Sequence, residues 1–331
     1  MNPTFVQAKM SLKMFVGSFI LFNFIIFNVF CQNLEEKNIN LFRFKSFPYK
    51  FKTKTEFFSG YDSNVKLDSK RKGDIFEEFY LSFNINTPRY KNLYFTFNYN
   101  LDILNYNEFT DASSILNNLN FSFNKKLFDF VIFCGYDFSN IYYPDNEDYD
   151  FLFHKIFFSL RHNIKKDLYQ QFVFSRGYKY YINKRNFDNL YKSLDEKRND
   201  DRYTFSYILA KNIKNLSLKL KNRYSINDSN VVYLDFYDYK SVSPSFELDY
   251  KLQKFLFSLK FKYTIKNYKR SIVSLDCKEK SKLFNFIYAI DYNMNDKNSI
   301  IFEYNYNRNS SNEKLNRYFE NIFKLGLRHI F

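Results

Sequence analysis

The stretch FKLGLRHIF, residues 323–331, alternates large apolar side chains with small or charged ones. Successive side chains of a β-strand point to opposite faces, so a strand with this sequence has one apolar face and one polar face. The apolar face consists of Phe323, Leu325, Leu327 and Phe331, and the polar face carries Lys324, Gly326 and Arg328. We therefore predict a final strand that separates water from an apolar phase.

Other segments repeat this period of two. The clearest is LYFTFNYNLDI at residues 93–103, and residues 255–265, 284–292 and 300–306 follow the same plan. An amphipathic helix would instead place its apolar residues three and four positions apart. A strand of about ten residues is long enough to cross a bilayer when it is tilted.

The connections between these segments alternate in length. Short turns are expected near residues 88–92, 125–126, 163–167, 212–215, 253–254 and 293–298, and longer polar loops near residues 60–74, 106–112, 140–150, 182–200, 227–240, 267–280 and 308–314. Short periplasmic turns and long loops on the other side are typical of bacterial transmembrane barrels. We count about fourteen strands, and twelve to sixteen stay open because residues 49–58 and 245–252 have the weakest patterns. The loop at 182–200 is the longest and is a candidate plug.

Composition favours strands over membrane helices. Hydrophobic residues make up 45% of the chain and aromatic residues 22%, with 44 Phe, 30 Tyr and no Trp. Beyond residue 30 the chain has no run of about 18 consecutive apolar residues, the length that a spanning helix needs. Phe and Tyr favour pleated surfaces, and Tyr also favours the membrane–water boundary. A soluble sandwich or propeller is the competing fold, but six glycines and five prolines supply few turn residues for it.

The first residues have the layout of a secretory signal peptide. Residues 1–14 carry two lysines and no acidic residue, and residues 15–30 are almost wholly apolar. We expect a signal peptide over residues 1–31, a short periplasmic segment over 32–48 and a barrel over 49–331. An uncleaved membrane anchor is one alternative, because the apolar run approaches the length of a spanning helix. A lipoprotein acylated at Cys31 is another, and the bulky Phe30 argues against it.

The end of the chain resembles the C-terminal assembly signal of bacterial outer-membrane β-barrels. Lys324, Gly326 and Phe331 match that signal, whereas His329 stands where an aromatic or aliphatic residue is usual. The resemblance implies an all-β, antiparallel up-and-down transmembrane barrel in the bacterial outer membrane. It also implies that the barrel-assembly machinery binds the C-terminal strand.

Nine cations share the polar face of three strands: Lys50, Lys52 and Lys54, then Lys219, Lys221 and Arg223, then Lys260, Lys262 and Lys266. A Lys or Arg that faced lipid would cost about 2–4 kcal/mol at the bilayer centre, so we expect these rows to line water. Such a lumen would concentrate anions and repel cations. Alternatively, acidic residues of the same parity pair with the cations across the lumen, namely Asp102, Asp129, Glu247, Asp249, Asp291, Glu303 and Glu320.

Little in the sequence points to enzymatic chemistry. No nucleotide-binding or zinc-binding motif occurs, so we expect no cofactor and no metal. Of the three histidines, His154 has the nearest serine, but Ser159 would lie about 16 Å along the strand and on its opposite face. The net charge of +15 suits a nucleic-acid-binding protein, yet the aromatic residues and the cations occupy opposite faces, which argues against that partner.

The motif Gly60-Tyr-Asp-Ser-Asn-Val65 follows the first strand. It resembles a GYDSN segment found near the first hairpin of several porin-like outer-membrane barrels and surface-export barrels. In purely physical terms Gly60 permits a turn, and Asp62 or Asn64 caps local amides.

These observations predict a porin-like channel for passive diffusion of small polar solutes, preferentially anions, with outer-membrane lipid as its surroundings. An export or surface-assembly barrel for polysaccharide or lipoprotein is the first alternative, and a barrel hydrolase is the second. The oligomeric state does not follow from the sequence.

Overall fold

The computed structural model describes residues 50–331 apart from residues 69, 89, 188–192, 232–236 and 275–276. The signal peptide predicted for residues 1–31 and the periplasmic segment predicted for residues 32–48 lie outside the described residues. Both stay predictions.

The described part of the chain forms fourteen antiparallel strands in one closed barrel. They are β1 (Lys50–Asp62), β2 (Asp74–Asn86), β3 (Leu93–Tyr106), β4 (Ser114–Leu127), β5 (Phe130–Tyr142), β6 (Phe151–Lys165), β7 (Leu168–Phe187), β8 (Ser193–Ile213), β9 (Leu216–Ser229), β10 (Tyr239–Leu252), β11 (Phe255–Ser274), β12 (Cys277–Asn293), β13 (Asn298–Ser311) and β14 (Tyr318–Ile330). Three short 3₁₀ turns lie at Thr110–Ala112, Glu147–Tyr149 and Lys314–Asn316. None of the described segments is a helix that is long and apolar enough to cross a membrane.

The barrel closes because β14 pairs with β1. In that ladder Phe57 lies opposite Leu327, and Lys54 lies opposite Ile330. Each strand thus has two hydrogen-bonded neighbours, which is how a sheet leaves no backbone group unpaired in hydrocarbon. The predicted up-and-down barrel of fourteen strands is confirmed. It includes both segments with weak patterns, which lie within β1 and β10.

The outer face of the barrel is apolar and uncovered. Ile156 is 67% exposed, Leu325 61% and Leu327 57%, and many Phe and Tyr side chains share this face. Such a continuous exposed apolar surface marks contact with a membrane rather than with water. The buried side chains lie on the inward face, where aromatic Phe58 and Phe76 adjoin polar groups such as Asp62.

Short turns and long connections alternate as predicted, but two of the predicted long loops are mostly strand. The pair β7 and β8 continues to Phe187 and resumes at Ser193, and the pair β11 and β12 continues to Ser274 and resumes at Cys277. Polar residues in these extensions look like loop in the sequence, although an antiparallel hairpin can satisfy backbone groups without an apolar face. Over its described residues, the candidate plug at 182–200 continues the hairpin of β7 and β8.

We call the ladder between β14 and β1 the closing seam. Two glycines allow neighbouring strands and side chains to approach closely there. A Cβ atom on Gly326 of β14 would overlap the ring of Phe58 and the carbonyl oxygen of Phe57 on β1. A Cβ atom on Gly60 of β1 would overlap the ring of Phe76 on β2 and lie 2.6 Å from the carbonyl oxygen of Phe323. Inward aromatic rings thus cover the glycines on neighbouring strands, a known device in curved sheets.

Candidate functional site

The register of the ladder places the predicted cations of β9 and β11 on one inward wall. Lys219 lies opposite Glu247 of β10, and Glu247 lies opposite Lys260 of β11. One row further toward the long loops, Lys221 and Lys262 flank Ser245 in the same way. Because adjacent strands are about 4.8 Å apart, the two rows of cations are separated by roughly 10 Å.

We define the basic sector as Arg202, Lys221, Arg223, Lys262 and Lys266. Four of these residues line a cavity of about 510 Å³ inside the barrel, and Lys221 lines a smaller one of about 150 Å³ with Arg223 and Lys262. Hydroxyl groups fill the spaces between the cations, from Ser225, Ser241, Ser243, Thr264 and Tyr239. The Thr264 hydroxyl donates to Ser243 Oγ at 2.9 Å.

The basic sector has little internal compensation. Within the described part of the chain, none of its five residues forms an ion pair. Arg202 Nε donates to the neutral Asn227 Oδ1 at 3.0 Å. The nearby carboxylate Glu247 is engaged by Lys219, whose Nζ lies 2.8 Å from Glu247 Oε2. This wall therefore presents unneutralised positive charge and hydroxyl groups to the lumen.

The cations of β1 are in a different place. Going round the ring, β1 and β9 are six strands apart, so Lys50, Lys52 and Lys54 do not join the basic sector. Lys50 and Lys52 are exposed at the short-turn rim. Lys54 pairs with Glu56 at 3.2 Å and lies over the Tyr80 ring at 4.6 Å.

The wall around the closing seam is a network of ion pairs. Arg328 bridges Glu56 and Asp291, and Lys324 bridges Glu78 at 2.6 Å and Glu303 at 3.8 Å. Here Lys54, Lys324 and Arg328 pair with four carboxylates, so the carboxylates outnumber the cations by one. The sequence left open a pairing of such charges across the lumen. The pairs of this wall instead join strands that are one or two positions apart in the ring, and the basic sector has no ion pair among the described residues.

One acidic residue was misplaced by the sequence pattern. Asp129 lies between β4, which ends at Leu127, and β5, which begins at Phe130, so it belongs to a short turn and not to the wall. A two-residue turn interrupts the alternation, and parity counted through it has no structural meaning.

A ladder of amides lines the remaining wall, and it is not among the features predicted from the sequence. Asn98 Nδ2 donates to Asn120 Oδ1 at 3.1 Å. Asn98 also accepts a hydrogen bond from Asn84 on β2, and Asn120 also donates one to Asp137 on β5. One row away, the Tyr80 hydroxyl donates to Asn100 Oδ1 at 2.9 Å. The sequence pattern that could have predicted this ladder is the Asn at every second position of adjacent strands. This wall is rich in hydrogen-bonding groups, and its charged side chains include Asp102 and Asp137, of which Asp137 pairs with Lys155.

No protein-family model matches this sequence, and no curated protein matches it either. Several solved structures share its fold. The outer membrane channel DcaP of Acinetobacter baumannii superposes with a TM-score of 0.55 at 11% identity, covering 88% of this chain and 99% of that one. OmpT of Vibrio cholerae, expressed in the outer membrane, gives 0.53 at 10% identity, covering 88% and 99%. An anion-selective porin from Comamonas acidovorans gives 0.51 at 10% identity, covering 86% and 100%.

This chain folds as a bacterial outer-membrane β-barrel. The family resemblance inferred from residues 323–331 is thereby confirmed at the level of the fold. At identities near 10% the likeness says nothing about the solute, so the residues of this lumen must carry the functional argument.

The histidines of this barrel have neutral partners. His154 Nδ1 lies 2.6 Å from the Tyr136 hydroxyl, His162 Nδ1 lies 3.2 Å from the Gln170 amide, and His329 Nδ1 lies 2.7 Å from Asn298 Oδ1. Ser159 is buried and its hydroxyl accepts from Gln171 Nε2 at 2.7 Å. A search of the described residues finds no group of three His, Cys, Asp or Glu side chains suited to a metal ion.

The Gly60–Val65 motif joins the first long loop to the last strand of the barrel. Asp62 Oδ1 accepts from the Asn64 N–H at 2.8 Å, and Asp62 Oδ2 accepts from the Tyr106 hydroxyl at 2.9 Å. The Ser63 N–H donates to the carbonyl oxygen of Asn321 at 2.9 Å. The motif therefore caps local amides, as its sequence suggests, and it also makes contacts across the seam.

Proposed function

We propose that this barrel is a porin-like channel for passive diffusion of small polar solutes, with a preference for anions. The observation that carries the proposal is the basic sector, where Lys221, Arg223 and Lys262 face the lumen without an ion pair among the described residues. Fixed charges on a water-filled wall attract counter-ions and repel co-ions.

The charges of Lys221, Arg223 and Lys262 are enough to give a measurable preference for anions. One unit charge about 10 Å from a permeating ion contributes about 0.4 kcal/mol in water. Three such charges contribute about 1 kcal/mol, which enriches an anion roughly five-fold before salt screens the field. The seam wall offsets part of this enrichment, because its four paired carboxylates outnumber Lys54, Lys324 and Arg328 by one. That one barrel of the same fold is described as an anion-selective porin agrees with this proposal.

The amide ladder of β2–β5 supports the polar part of the proposal. Its Asn side chains offer donors and acceptors to hydroxyl or amide groups of a solute, at no electrostatic penalty for a neutral molecule. A passive role also agrees with the histidines, whose described partners are Tyr, Gln and Asn rather than the Ser or Asp that a hydrolase would require.

The assembly proposal concerns the C-terminal strand. We propose that Lys324, Gly326 and Phe331 form the signal that the barrel-assembly machinery binds. Phe331 is 45% exposed, and its N–H donates to the carbonyl oxygen of Thr53 at 3.0 Å in the closed barrel. Deleting Phe331 should lower the amount of barrel in the outer membrane while leaving its conductance unchanged. Assembly at the normal level would contradict this role.

Ion selectivity tests the channel proposal. Purified barrel in a planar bilayer under a KCl gradient should give a reversal potential of anionic sign. The variant K221Q/R223Q/K262Q should shift that potential toward zero. The matched control is K125Q/K211Q/K254Q, which removes three exposed lysines at the short-turn rim and should change it much less. A cation-selective wild-type channel would overturn the anion preference, and a barrel that carries no current would favour the export alternative.

A further inference from the structure

A second cluster of cations lies on the outside of the barrel, at its long-loop end. We call it the headgroup patch, and it consists of Arg71, Lys280, Lys282, Arg308, Lys314 and Arg317. These six residues line a concavity of about 820 Å³ together with Asp68, Ser310, Asn312 and Phe319. None of its cations belongs to the basic sector, although Arg308 and Tyr318 also line the cavity of about 510 Å³ inside the barrel.

The patch begins where the apolar band of the wall ends. Along the outward face of β12, Phe286 and Phe284 are followed by Lys282 and Lys280, and along β13 the outward Tyr306 is followed by Arg308. Long loops mark the extracellular side of such barrels. The cations therefore lie at the height of the headgroups of the outer leaflet, directly above side chains that contact acyl chains.

The positive charge of the patch is not neutralised by the part of the protein that the structure describes. None of its six residues forms an ion pair there. The one carboxylate in the lining, Asp68, accepts the backbone N–H groups of Lys70 at 2.8 Å and Arg71 at 3.2 Å through Oδ1.

Neutral partners hold two of the arginines in position. The guanidinium of Arg71 stacks on the Phe319 ring at 3.7 Å, and Arg317 Nε donates to the carbonyl oxygen of Ser311 at 2.6 Å. Side chains fixed in this way lose less entropy when they bind an anion. Lys282 lies opposite Ser310 and Arg308 lies opposite Phe284, so these two cations are diagonal neighbours about 7 Å apart.

We propose that the headgroup patch binds the phosphate groups of an outer-leaflet phosphorylated glycolipid. Arg and Lys clusters recognise phosphate through charge-assisted hydrogen bonds. Ser310 and Asn312 offer hydrogen bonds to sugar hydroxyls, and the Phe and Tyr residues below them offer an apolar surface to the acyl chains. A soluble polyanion would use only the first of these three features, which is why a lipid is the better fit.

Competition between two lipids tests this assignment on the unmodified protein. Barrel purified from outer membranes is incubated with equal amounts of lipid A that carries both phosphates and of dephosphorylated lipid A. Native mass spectrometry then counts the lipids that remain bound. We expect at least a ten-fold excess of the phosphorylated form, and equal retention of the two forms would overturn the proposal.

Variants locate the binding site. K282Q/R308Q/R317Q should reduce the retained phosphorylated lipid at least ten-fold, whereas the charge-preserving K282R/R308K/R317K should retain most of it. The rim control K125Q/K211Q/K254Q removes the same number of charges at the opposite end and should bind normally. Should the charge-preserving variant fail to fold, K282Q alone should still give a several-fold loss. Normal binding by the triple Gln variant would overturn the proposal.

A soluble competitor separates a lipid from a free anion. Inorganic pyrophosphate at the concentration of the lipid phosphates should displace little lipid, because it lacks acyl chains and sugar. Displacement of the lipid at equal concentration, with the same dependence on Lys282 and Arg308, would assign the patch to soluble polyanions and overturn the lipid assignment.

Discussion

The side-chain amide of Asn64 donates a hydrogen bond to the carbonyl oxygen of Phe319 at 2.9 Å, across 255 residues of sequence. The same amide donates to the carbonyl oxygen of Asp68 at 2.8 Å, and Asn64 Oδ1 accepts from the Asp68 N–H at 3.2 Å. Asn64 is fully buried. One side chain thus ties the first long loop to the start of the last strand, at the long-loop end of the seam where the barrel closes.

Replacing Asn64 by Ala should destabilise the barrel by about 2–3 kcal/mol. The substitution removes three hydrogen bonds and leaves two partly buried carbonyl groups without a donor. Urea unfolding of the purified barrel in detergent measures the loss. The exposed Asn107 of the next long loop is the matched control, because its side chain makes no hydrogen bond in the described part of the chain. Equal stability of N64A and N107A would show that the amide does not support the seam.

A second prediction separates backbone from side-chain crowding at glycine. A Cβ on Gly326 would meet the Phe57 carbonyl oxygen as well as the Phe58 ring, whereas a Cβ on Gly177 would meet the Phe153 ring, with the nearest backbone oxygen at 3.8 Å. A ring can rotate away and a paired backbone cannot, so G326A should cost about 1–3 kcal/mol more than G177A.

Refolding into detergent micelles, followed by the mobility of unheated samples in gel electrophoresis, measures the folded fraction of both glycine variants. Adding Phe58→Ala to G326A should restore little, since the clash with the carbonyl oxygen persists. Full recovery by that second substitution would place the strain in the ring instead.

The fold could be predicted from the sequence because apolar and polar residues alternate with a period of two along the strands of a barrel. Residues 93–103 show it without ambiguity, and hydrogen-bonded closure follows from the absence of water in the bilayer. Register, by contrast, depends on the pairing of strands. The sequence put Lys219 and Lys260 on the same face, but only the pairing of strands sets both of them opposite Glu247. The extension of the hairpin of β7 and β8 was not predicted, because its residues are mostly polar and the segment has no apolar face to show the period of two.

Arg328 supports a third prediction about charge balance. Its guanidinium bridges Glu56 and Asp291, whose side chains are only 9% and 11% exposed. Arg328→Met should destabilise the barrel by about 3–5 kcal/mol, because it leaves the buried Asp291 without a cation and Glu56 with Lys54 alone. It should also shift the reversal potential toward cation preference. The triple variant R328M/E56Q/D291N removes the same arginine together with both charges, and it should recover stability and most of the wild-type potential.

Unfolding in urea and bilayer recordings on the same preparations check both effects of Arg328. If R328M lost stability but kept the wild-type reversal potential, the seam wall would have no influence on permeating ions. Anion preference would then depend on the basic sector alone.

The anion preference should weaken with salt. The Debye length is about 30 Å at 0.01 M and about 3 Å at 1 M, so at high salt the cations of the basic sector no longer reach across the lumen. Reversal potentials at one fixed concentration ratio, recorded from 10 mM to 1 M KCl, should fall toward zero. A preference that is constant over this range would indicate direct binding of the anion to Lys221 or Arg223 in place of a diffuse field.

Two cysteines report the orientation of the barrel in the membrane. Cys277 begins β12 at the long-loop end, whereas Cys134 faces outward in the middle of β5, and both are exposed in the isolated chain. If long loops are extracellular, a membrane-impermeant maleimide added to intact cells should label Cys277. It should not label Cys134, which acyl chains would cover.

The variants C277S and C134S assign the label to its site. C277S should remove nearly all labelling of intact cells, and C134S should leave it unchanged. After extraction into a small detergent, a lipid-soluble maleimide should react with Cys134 as well. Labelling of Cys277 only in permeabilised cells would reverse the orientation, and it would move the headgroup patch to the periplasmic leaflet, where its proposed glycolipid is absent.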